Sequence, residues 1–167
     1  MKKLFVLMLS MLLLLSACGK EEQTYTAVAG EPVPVVKTVK MAVVGDIMVH
    51  DYQYNESYDP SSGTYDFMHN FQDAKQYFAG NDLVIGNLET TICDATCYAS
   101  TYHNVAKTYH CNGPVEYLDT LRYAGFDGFV NANSHNCDSG VLGLIETLEN
   151  LDAYGFMHTG TFKPGDT

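Results

Sequence analysis

The sequence predicts an α/β fold in which strands and helices alternate along the chain. Four short apolar segments have the length and the flanking turn residues of buried strands, and three stretches with helical periodicity lie between them. Glycines follow the two later helical stretches, where helices commonly end. This alternation favours right-handed crossovers and a largely parallel sheet.

The strands are predicted from apolar runs that end in polar residues. In the first, Val43 and Val44 lead into Gly45 and Asp46, which indicates a short buried strand that ends in a turn. The other three segments follow the same pattern. The predicted strands cover residues 40–45, 83–89, 126–133 and 156–161.

The helices are predicted from apolar stripes and from residues that start or stop a helix. A stripe over residues 65–79 consists of Phe67, Phe71, Ala74 and Phe78. The second helix, 114–124, begins with Pro114 and ends before Gly125. The third, 139–154, carries an apolar face of Val141, Leu144, Ile145, Leu148 and Leu151, with Asp138 or Ser139 as the cap. Residues 90–113 are predicted to form a loop.

The N-terminus has the pattern of an export signal. Two lysines precede an apolar run over residues 4–15, which is shorter than the about 20 residues that span a membrane. The segment Leu15-Ser16-Ala17-Cys18 resembles the bacterial lipobox, which predicts a signal peptide at 1–17 and a lipid on Cys18. The alternative is an ordinary signal peptide with an incidental cysteine. We therefore expect an extracytoplasmic membrane lipoprotein with a flexible tether at 18–38 and a folded domain at 39–167.

Composition and charge exclude several classes of protein. Apolar residues make up 46 % of the chain and charged residues 17 %, which argues against disorder. The formal net charge of -11 argues against a nucleic-acid partner. Export makes disulfides more favoured than a zinc site with His103 and His110, and the pairing is open among Cys93, Cys97, Cys111 and Cys137.

Polar side chains follow three successive predicted strands. Asp46 follows the first, Asn87 and Glu89 end the second, and the third leads into Asn131, Asn133 and His135. The carboxyl ends of parallel strands share one edge of a sheet, where ligands bind. Carboxylate, amide and imidazole donors suit Mn, Zn, Fe or Mg, and His135 would either ligate the ion or protonate a leaving oxygen. The alternative is that these are turn and cap residues with a structural histidine.

These residues carry a resemblance to a known family. The segments are Gly45-Asp46-Ile47-Met48, Gly86-Asn87-Leu88-Glu89, Asn131-Ala132-Asn133-Ser134-His135 with Asp138 and Gly140, and Thr159-Gly160-Thr161. In this order they resemble the bacterial capsule synthesis family of CapA type, which is named for poly-gamma-glutamate capsule and is similar to calcineurin-like metallophosphoesterases. The resemblance implies a four-layer αββα sandwich with a metal site at the strand ends. It makes Asp46 the first metal-binding aspartate, Asn87 or preferably Glu89 the bridging ligand, and His135 the histidine that works on the phosphate.

The chain departs from the family pattern at three points. Met48 stands where phosphoesterases usually have a histidine, and nearby His50 is a less favoured ligand. Ser134 replaces a common asparagine, so Asn133 would have to serve as a ligand. The sequence ends at Thr167, before the later histidine ligands, so we expect a truncated domain with one sheet edge and one apolar face uncovered. The remaining histidines are interpreted as structural or surface residues: His69, His103, His110 and His158.

Two functions remain open from the sequence. The first is a lipoprotein that takes part in capsule or other surface-polymer synthesis and hydrolyses a phosphoester with a divalent metal. The second is a non-catalytic lipoprotein that binds the polymer or a synthase partner. A dinucleotide-dependent oxidoreductase is disfavoured, because no Gly-x-Gly-x-x-Gly follows the first strand.

Overall fold

The computed structural model describes residues 35–94, 96 and 110–166. The chain divides into two units, Met1–Lys37 and Thr38–Thr167, and the fold below is that of the second. The predicted signal peptide, Cys18 and most of the tether lie outside the described residues, as do Cys97 and His103. Within those residues, no helix has both the length and the hydrophobicity needed to cross a membrane.

The structure confirms an α/β fold built on a parallel sheet. In chain order the elements are β1 (Met41–Ile47), α1 (Asp51–Ser57), β2 (Tyr58–Asp59), β3 (Thr64–Tyr65), a 3-10 turn (Met68–Asn70), α2 (Lys75–Phe78), β4 (Leu83–Leu88), β5 (Thr91–Ile92), β6 (Asn112–Gly113), α3 (Glu116–Ala124), β7 (Gly128–Val130), α4 (Gly140–Tyr154) and β8 (Met157–Thr159). The main sheet has four strands in the order β1-β4-β7-β8, and every pair in it is parallel. The four predicted strands are therefore the four strands of this sheet.

The two faces of this sheet have different surroundings. Side chains alternate between the faces, so Val84, Leu88 and Phe129 point to one side and are buried. They join one core with apolar residues of α3 and α4, namely Tyr117, Leu118, Leu121, Leu148 and Leu151. We call this the core face. The opposite face, which we call the open face, carries exposed Met41, Val43, Val130 and Met157.

The first strand is an edge strand with one exposed face, so the prediction of a buried strand was wrong. Val43 is 74 % exposed, whereas Val44 packs against the core. β1 hydrogen-bonds only to β4 within the described sheet, and only its alternate residues reach the core face. An apolar run therefore did not distinguish a central strand from an edge strand.

The helix predicted over residues 65–79 was also wrong in its extent. Only Lys75–Phe78 is α-helical, and Met68–Asn70 forms a 3-10 turn. The carboxylate of Asp66 accepts a hydrogen bond from the backbone N–H of Met68, a local bond that favours a turn over a helix. Phe67, Phe71 and Phe78 nevertheless pack into or against the core, so the apolar spacing reflected burial.

The two later helices are confirmed, although the face that α4 buries differs in part from the prediction. α3 and α4 end at Gly125 and Gly155, whose φ angles of 100° and 71° favour glycine. Leu148 and Leu151 are buried and Leu144 packs against the core, as predicted. Val141 is 66 % exposed, and α4 also buries Gly143 and Thr147. A Cβ at Gly143 would lie 3.0 Å from Sγ of Cys93, so the glycine allows the segment after β5 to approach the helix closely.

The region predicted as a loop contains the short parallel pair β5 and β6. It is held by buried Asn112, whose Oδ1 accepts a hydrogen bond from Thr91 Oγ1 and whose Nδ2 donates to the carbonyl of Cys93. Cys93, Cys111 and Cys137 carry free thiols, so the predicted disulfides do not form among these three. Cys93 instead donates from Sγ to Oδ1 of Asn112, while Cys137 is exposed.

Candidate functional site

A bulge in β1 determines where Asp46 points. Val44 pairs with Gly86, and Asp46 pairs with the next residue, Asn87, so Gly45 is the extra residue of the bulge. Without the bulge, Asp46 would lie opposite Leu88 and share its core face. With it, Asp46 lies beside Asn87 at the carboxyl end of the sheet, on the open face.

Asn87 joins two carboxylates. Its Nδ2 donates to Oδ1 of Asp46 at 2.8 Å and to Oε2 of Glu89 at 3.0 Å. The two acidic oxygens therefore converge on one nitrogen atom. Asn87 presents its amino group to the carboxylates in this arrangement, and its Oδ1 accepts a hydrogen bond from Asn133.

The loop after β7 completes this network. Asn133 donates from Nδ2 to Oδ1 of Asn87 at 2.9 Å and to the carbonyl of Leu88 at 2.8 Å. Ser134 donates from Oγ to Oε1 of Glu89 at 2.8 Å. The structure thus brings together Asp46, Asn87, Glu89 and Asn133, which we call the strand-end network. Whether these residues bind a metal stays a prediction.

His135 bonds to this network through its backbone, while its side chain bonds to Asp138. Its backbone N–H donates to Oδ1 of Asn133 at 3.1 Å, and its Nδ1 is 2.7 Å from Oδ2 of Asp138. Oδ2 of Asp138 also accepts a hydrogen bond from the backbone N–H of Cys111 at 2.6 Å. Asp138 therefore fixes the imidazole. One of the sequence alternatives made Asp138 the side-chain cap of α4, and the structure does not show that role.

Among the described residues, Asp46, Glu89 and His135 do not form a group whose donor atoms all lie within 4.8 Å of one another. In the parts of the chain that the structure describes, one group of three metal-ligating side chains has all its donor atoms within 4.8 Å of one another. That group is Cys111, His135 and Asp138, which we call the thiol cluster. It shares His135 with the predicted site and does not include Asp46 or Glu89.

The electrostatics of this edge are acidic. Across the described residues, the ion pairs join His135 to Asp138 and Asp152 to His158 and Lys163, so no lysine or arginine pairs with Asp46 or Glu89. Burial, followed by the negative charges of Asp138 and Glu89, raises the pKa of the Cys111 thiol to about 11. The field of Glu89 thus reaches the thiol cluster from the strand-end network.

The donor chemistry at this edge fits a divalent cation. The carboxylates of Asp46 and Glu89 both bond to Nδ2 of Asn87, and no lysine or arginine of the described residues pairs with them. Carboxylate oxygens are the hard donors that Mg or Mn prefers. Asp46 and Glu89 would hold such an ion. Asn87 and Asn133 have their side-chain oxygens directed to Asn133 and to the backbone of His135, so they position the site.

The comparison with known proteins agrees with these motifs. Residues 40–167 match the model of the family described as bacterial capsule synthesis protein PGA_cap. The chain belongs to this bacterial capsule synthesis family. The resemblance drawn from the four sequence segments is confirmed, and so is the α/β fold class that it implied.

Three curated relatives, each longer than this chain, match it in sequence. The chain is 30 % identical over 132 residues to the PGA biosynthesis protein CapA of Bacillus subtilis (strain 168), covering 73 % of this chain and 32 % of that relative. It is 31 % identical over 127 residues to the uncharacterized proteins y4sH and y4uA of Sinorhizobium fredii (strain NBRC 101917 / NGR234), covering 75 % of this chain and 25 % of each. It therefore spans about a quarter to a third of the length of these curated relatives.

Three other residues that the sequence analysis considered lie outside the strand-end network. His50 precedes α1, and its backbone N–H donates to Oε1 of Gln53. His158 lies on β8 and bonds to Asp152, as expected for a structural residue. Asn131 is buried, and its backbone N–H bonds to the carbonyl of Thr159. Its side-chain amide has no partner among the described residues, which keeps it apart from the strand-end network.

Sequence reasoning missed two members of the site. Asp138 was considered as a helix cap, although its position three residues after His135 was a signal that the two side chains could meet. Cys111 was considered only as a disulfide or zinc cysteine in a loop. Its approach to Asp138 joins residues 27 positions apart, and no local pattern could have revealed it.

Proposed function

We propose that this chain takes part in the synthesis of a bacterial capsule of poly-gamma-glutamate type, or of another surface polymer, and that it hydrolyses a phosphoester at the strand-end network. The observation that carries the proposal is the convergence of Asp46 and Glu89 on one nitrogen atom of Asn87 beside His135. Membership in the capsule synthesis family supports the role in polymer synthesis. The proposal includes the assumption that this chain, which spans about a quarter to a third of its longer relatives, shares their activity.

In this proposal Asp46 and Glu89 hold a divalent ion, which is Mn, Zn, Fe or Mg. Such an ion polarises a phosphoryl oxygen and lowers the pKa of a bound water. Asn87 bonds to both carboxylates and Asn133 holds Asn87, so the two acidic side chains are kept close together before an ion arrives.

His135 is proposed to act on the substrate. In this proposal the acting form is the imidazolium, in which Nδ1 donates to Asp138 and Nε2 carries the proton that is transferred. The proton on Nε2 would pass to the leaving oxygen of the phosphoester. General acid catalysis of this kind contributes about a hundredfold to ten-thousandfold to the rate.

A second candidate function is supported by the same contacts. Both side-chain oxygens of Glu89 already accept hydrogen bonds from neutral donors, Asn87 and Ser134. A network that is satisfied in this way is stable without an ion. Together with Met48 at the usual histidine position, it favours a non-catalytic lipoprotein that binds polymer or a synthase partner.

Metal analysis followed by phosphodiester hydrolysis separates the two candidates. We expect purified protein to contain a divalent metal, and His135→Ala to lower kcat by at least about a hundredfold. His69→Ala removes an exposed histidine far along the chain from the site and is the matched control, with unchanged kcat. No bound metal and no His135-dependent turnover would favour the binding function.

The membrane anchor is a separate part of the proposal. We infer that a lipid on Cys18 holds the domain at the extracytoplasmic face of the membrane, because the segment before it resembles a lipobox. Cys18→Ser should abolish incorporation of labelled fatty acid and shift the protein from the detergent phase to the aqueous phase. Cys137→Ser, which removes an exposed thiol of the folded domain, should leave both properties unchanged.

A further inference from the structure

Three side chains with different metal-binding chemistry meet beside the strand-end network. Cys111 immediately precedes β6, His135 lies in the loop after β7, and Asp138 lies two residues before α4. Their donor atoms are within 4.8 Å of one another. Because the chain brings these donors from separate segments to one point, their proximity is a product of the tertiary fold.

We propose that Cys111, His135 and Asp138 form a second cation position, one that takes a thiophilic divalent ion such as Zn²⁺. The set of one sulfur, one nitrogen and one oxygen donor leaves a fourth position for water or a phosphoryl oxygen, as in zinc sites with three protein ligands. The inference deepens the proposed function, on which it rests for the phosphoester substrate, by assigning a metal class to the site.

Oδ2 of Asp138 is the common point of the cluster. It lies 2.7 Å from Nδ1 of His135 and accepts a hydrogen bond from the backbone N–H of Cys111. Bonds from zinc to nitrogen and sulfur are about 2.0 and 2.3 Å long, so donors within 4.8 Å need only a small inward movement to bind one ion.

The position of Cys111 favours a cation over a reactive thiol. Its side chain is fully buried, and it lies beside Asp138 in the field of Glu89. The carboxylates would attract a divalent cation to this position, where the sulfur of Cys111 is within reach as a ligand. Hard ions prefer the oxygen donors of Asp46 and Glu89, and the sulfur donor adds selectivity for zinc-like ions.

Binding at this position would give His135 a hydrogen-bonding role toward the substrate in place of proton transfer. The cation would take Nδ1 in place of the hydrogen bond to Asp138. The metal-bound imidazole would be neutral and would carry its remaining proton on Nε2, which could donate a hydrogen bond to a phosphoryl oxygen. The same histidine can thus hold the ion through one nitrogen and contact the phosphoryl group through the other.

Cobalt absorption tests this inference without an activity measurement. The full chain, purified in reduced form in detergent, is titrated with Co²⁺, whose bond to a thiolate gives a charge-transfer band in the near ultraviolet. We expect the band in the wild type and in Cys137→Ser, which removes an exposed thiol two residues from His135. Cys111→Ser should remove the band and lower the Co²⁺ affinity by more than about tenfold.

A second variant guards against a folding defect in Cys111→Ser. Asp138→Asn keeps the thiol and the size of the side chain, and we expect it to need more than about tenfold higher Co²⁺ to reach the same band intensity. Circular dichroism of each variant reports whether the fold is kept. A band of equal intensity in Cys111→Ser and wild type, or Co²⁺ affinity unaffected by Asp138→Asn, would overturn the inference.

Failure of this inference is distinguishable from failure of the proposed function. Co²⁺ bound without a thiolate band, and released in Glu89→Gln, would overturn the thiol cluster as a cation position and leave the strand-end network in place. A band that depends on Cys111 in a protein without His135-dependent hydrolysis would support the inference and contradict the proposed catalysis.

Discussion

The core face and the open face of the same sheet have opposite properties. On the core face, Phe129 contacts Phe126 and Phe156 with ring centroids 5.5 and 5.0 Å apart, and all three are buried. On the open face, apolar side chains such as Val43 remain exposed, and the end of β1 presents Asp46. Stability is therefore concentrated on one side of the sheet, while the predicted chemistry lies at the end of the other.

The largest expected effect comes from truncation of the core face. Phe129→Ala leaves a cavity among packed aromatic rings and should lower the free energy of unfolding by roughly 3–5 kcal/mol. Val43→Thr replaces an exposed residue on the open face and should change the free energy of unfolding by less than about 0.5 kcal/mol. Urea unfolding of both variants measures the difference. Similar losses in the two variants would mean that the open face is packed in solution.

A smaller effect is expected at the close approach of β7 and β8. A Cβ at Gly128 would lie 2.6 Å from the carbonyl oxygen of Met157 on β8, so Gly128→Ala should push β8 away and cost about 1–3 kcal/mol of unfolding free energy. Gly45→Ala is the matched control, because its Cβ would have no atom within 4 Å. Equal urea midpoints for the two variants would contradict the close packing of β8.

The smallest effect concerns an exposed ion pair beside β8. The hydrogen bond from Lys163, followed by that from His158, holds the pKa of Asp152 below its usual range. A lowered folded-state pKa contributes stability above the unfolded pKa of about 4 and loses it as the pH falls through the folded value. Lys163→Met should therefore lower Tm slightly at pH 7 and not at a pH well below 3. A Tm difference of the same size at both pH values would show that the effect is not electrostatic.

The strands and the edge that carries the site could be predicted from the sequence because both follow from general rules. Apolar runs marked all four strands of the sheet, and parallel topology brings their carboxyl ends to one edge. Asp46 and Glu89 were therefore expected together, and the structure brings both to Nδ2 of Asn87.

The remaining details depend on contacts that the sequence does not encode locally. The face of Asp46 depends on the bulge at Gly45, because one extra residue reverses the alternation of side chains. The aromatic residues of 65–79 had helical spacing, yet the bond from Met68 to Asp66 stabilises a turn. The link between Cys111 and Asp138 arises only when β6 and the start of α4 pack together.

The central claim is that Asp46 and Glu89 together hold a divalent cation at the end of the open face. Calorimetric titration with Mn²⁺ of the wild type, Glu89→Gln and the control Glu149→Gln, an exposed acid on α4, tests it most directly. The account predicts that Glu89→Gln weakens Mn²⁺ binding by more than about tenfold, while Glu149→Gln binds as the wild type does. Equal Mn²⁺ affinity in all three proteins would contradict it.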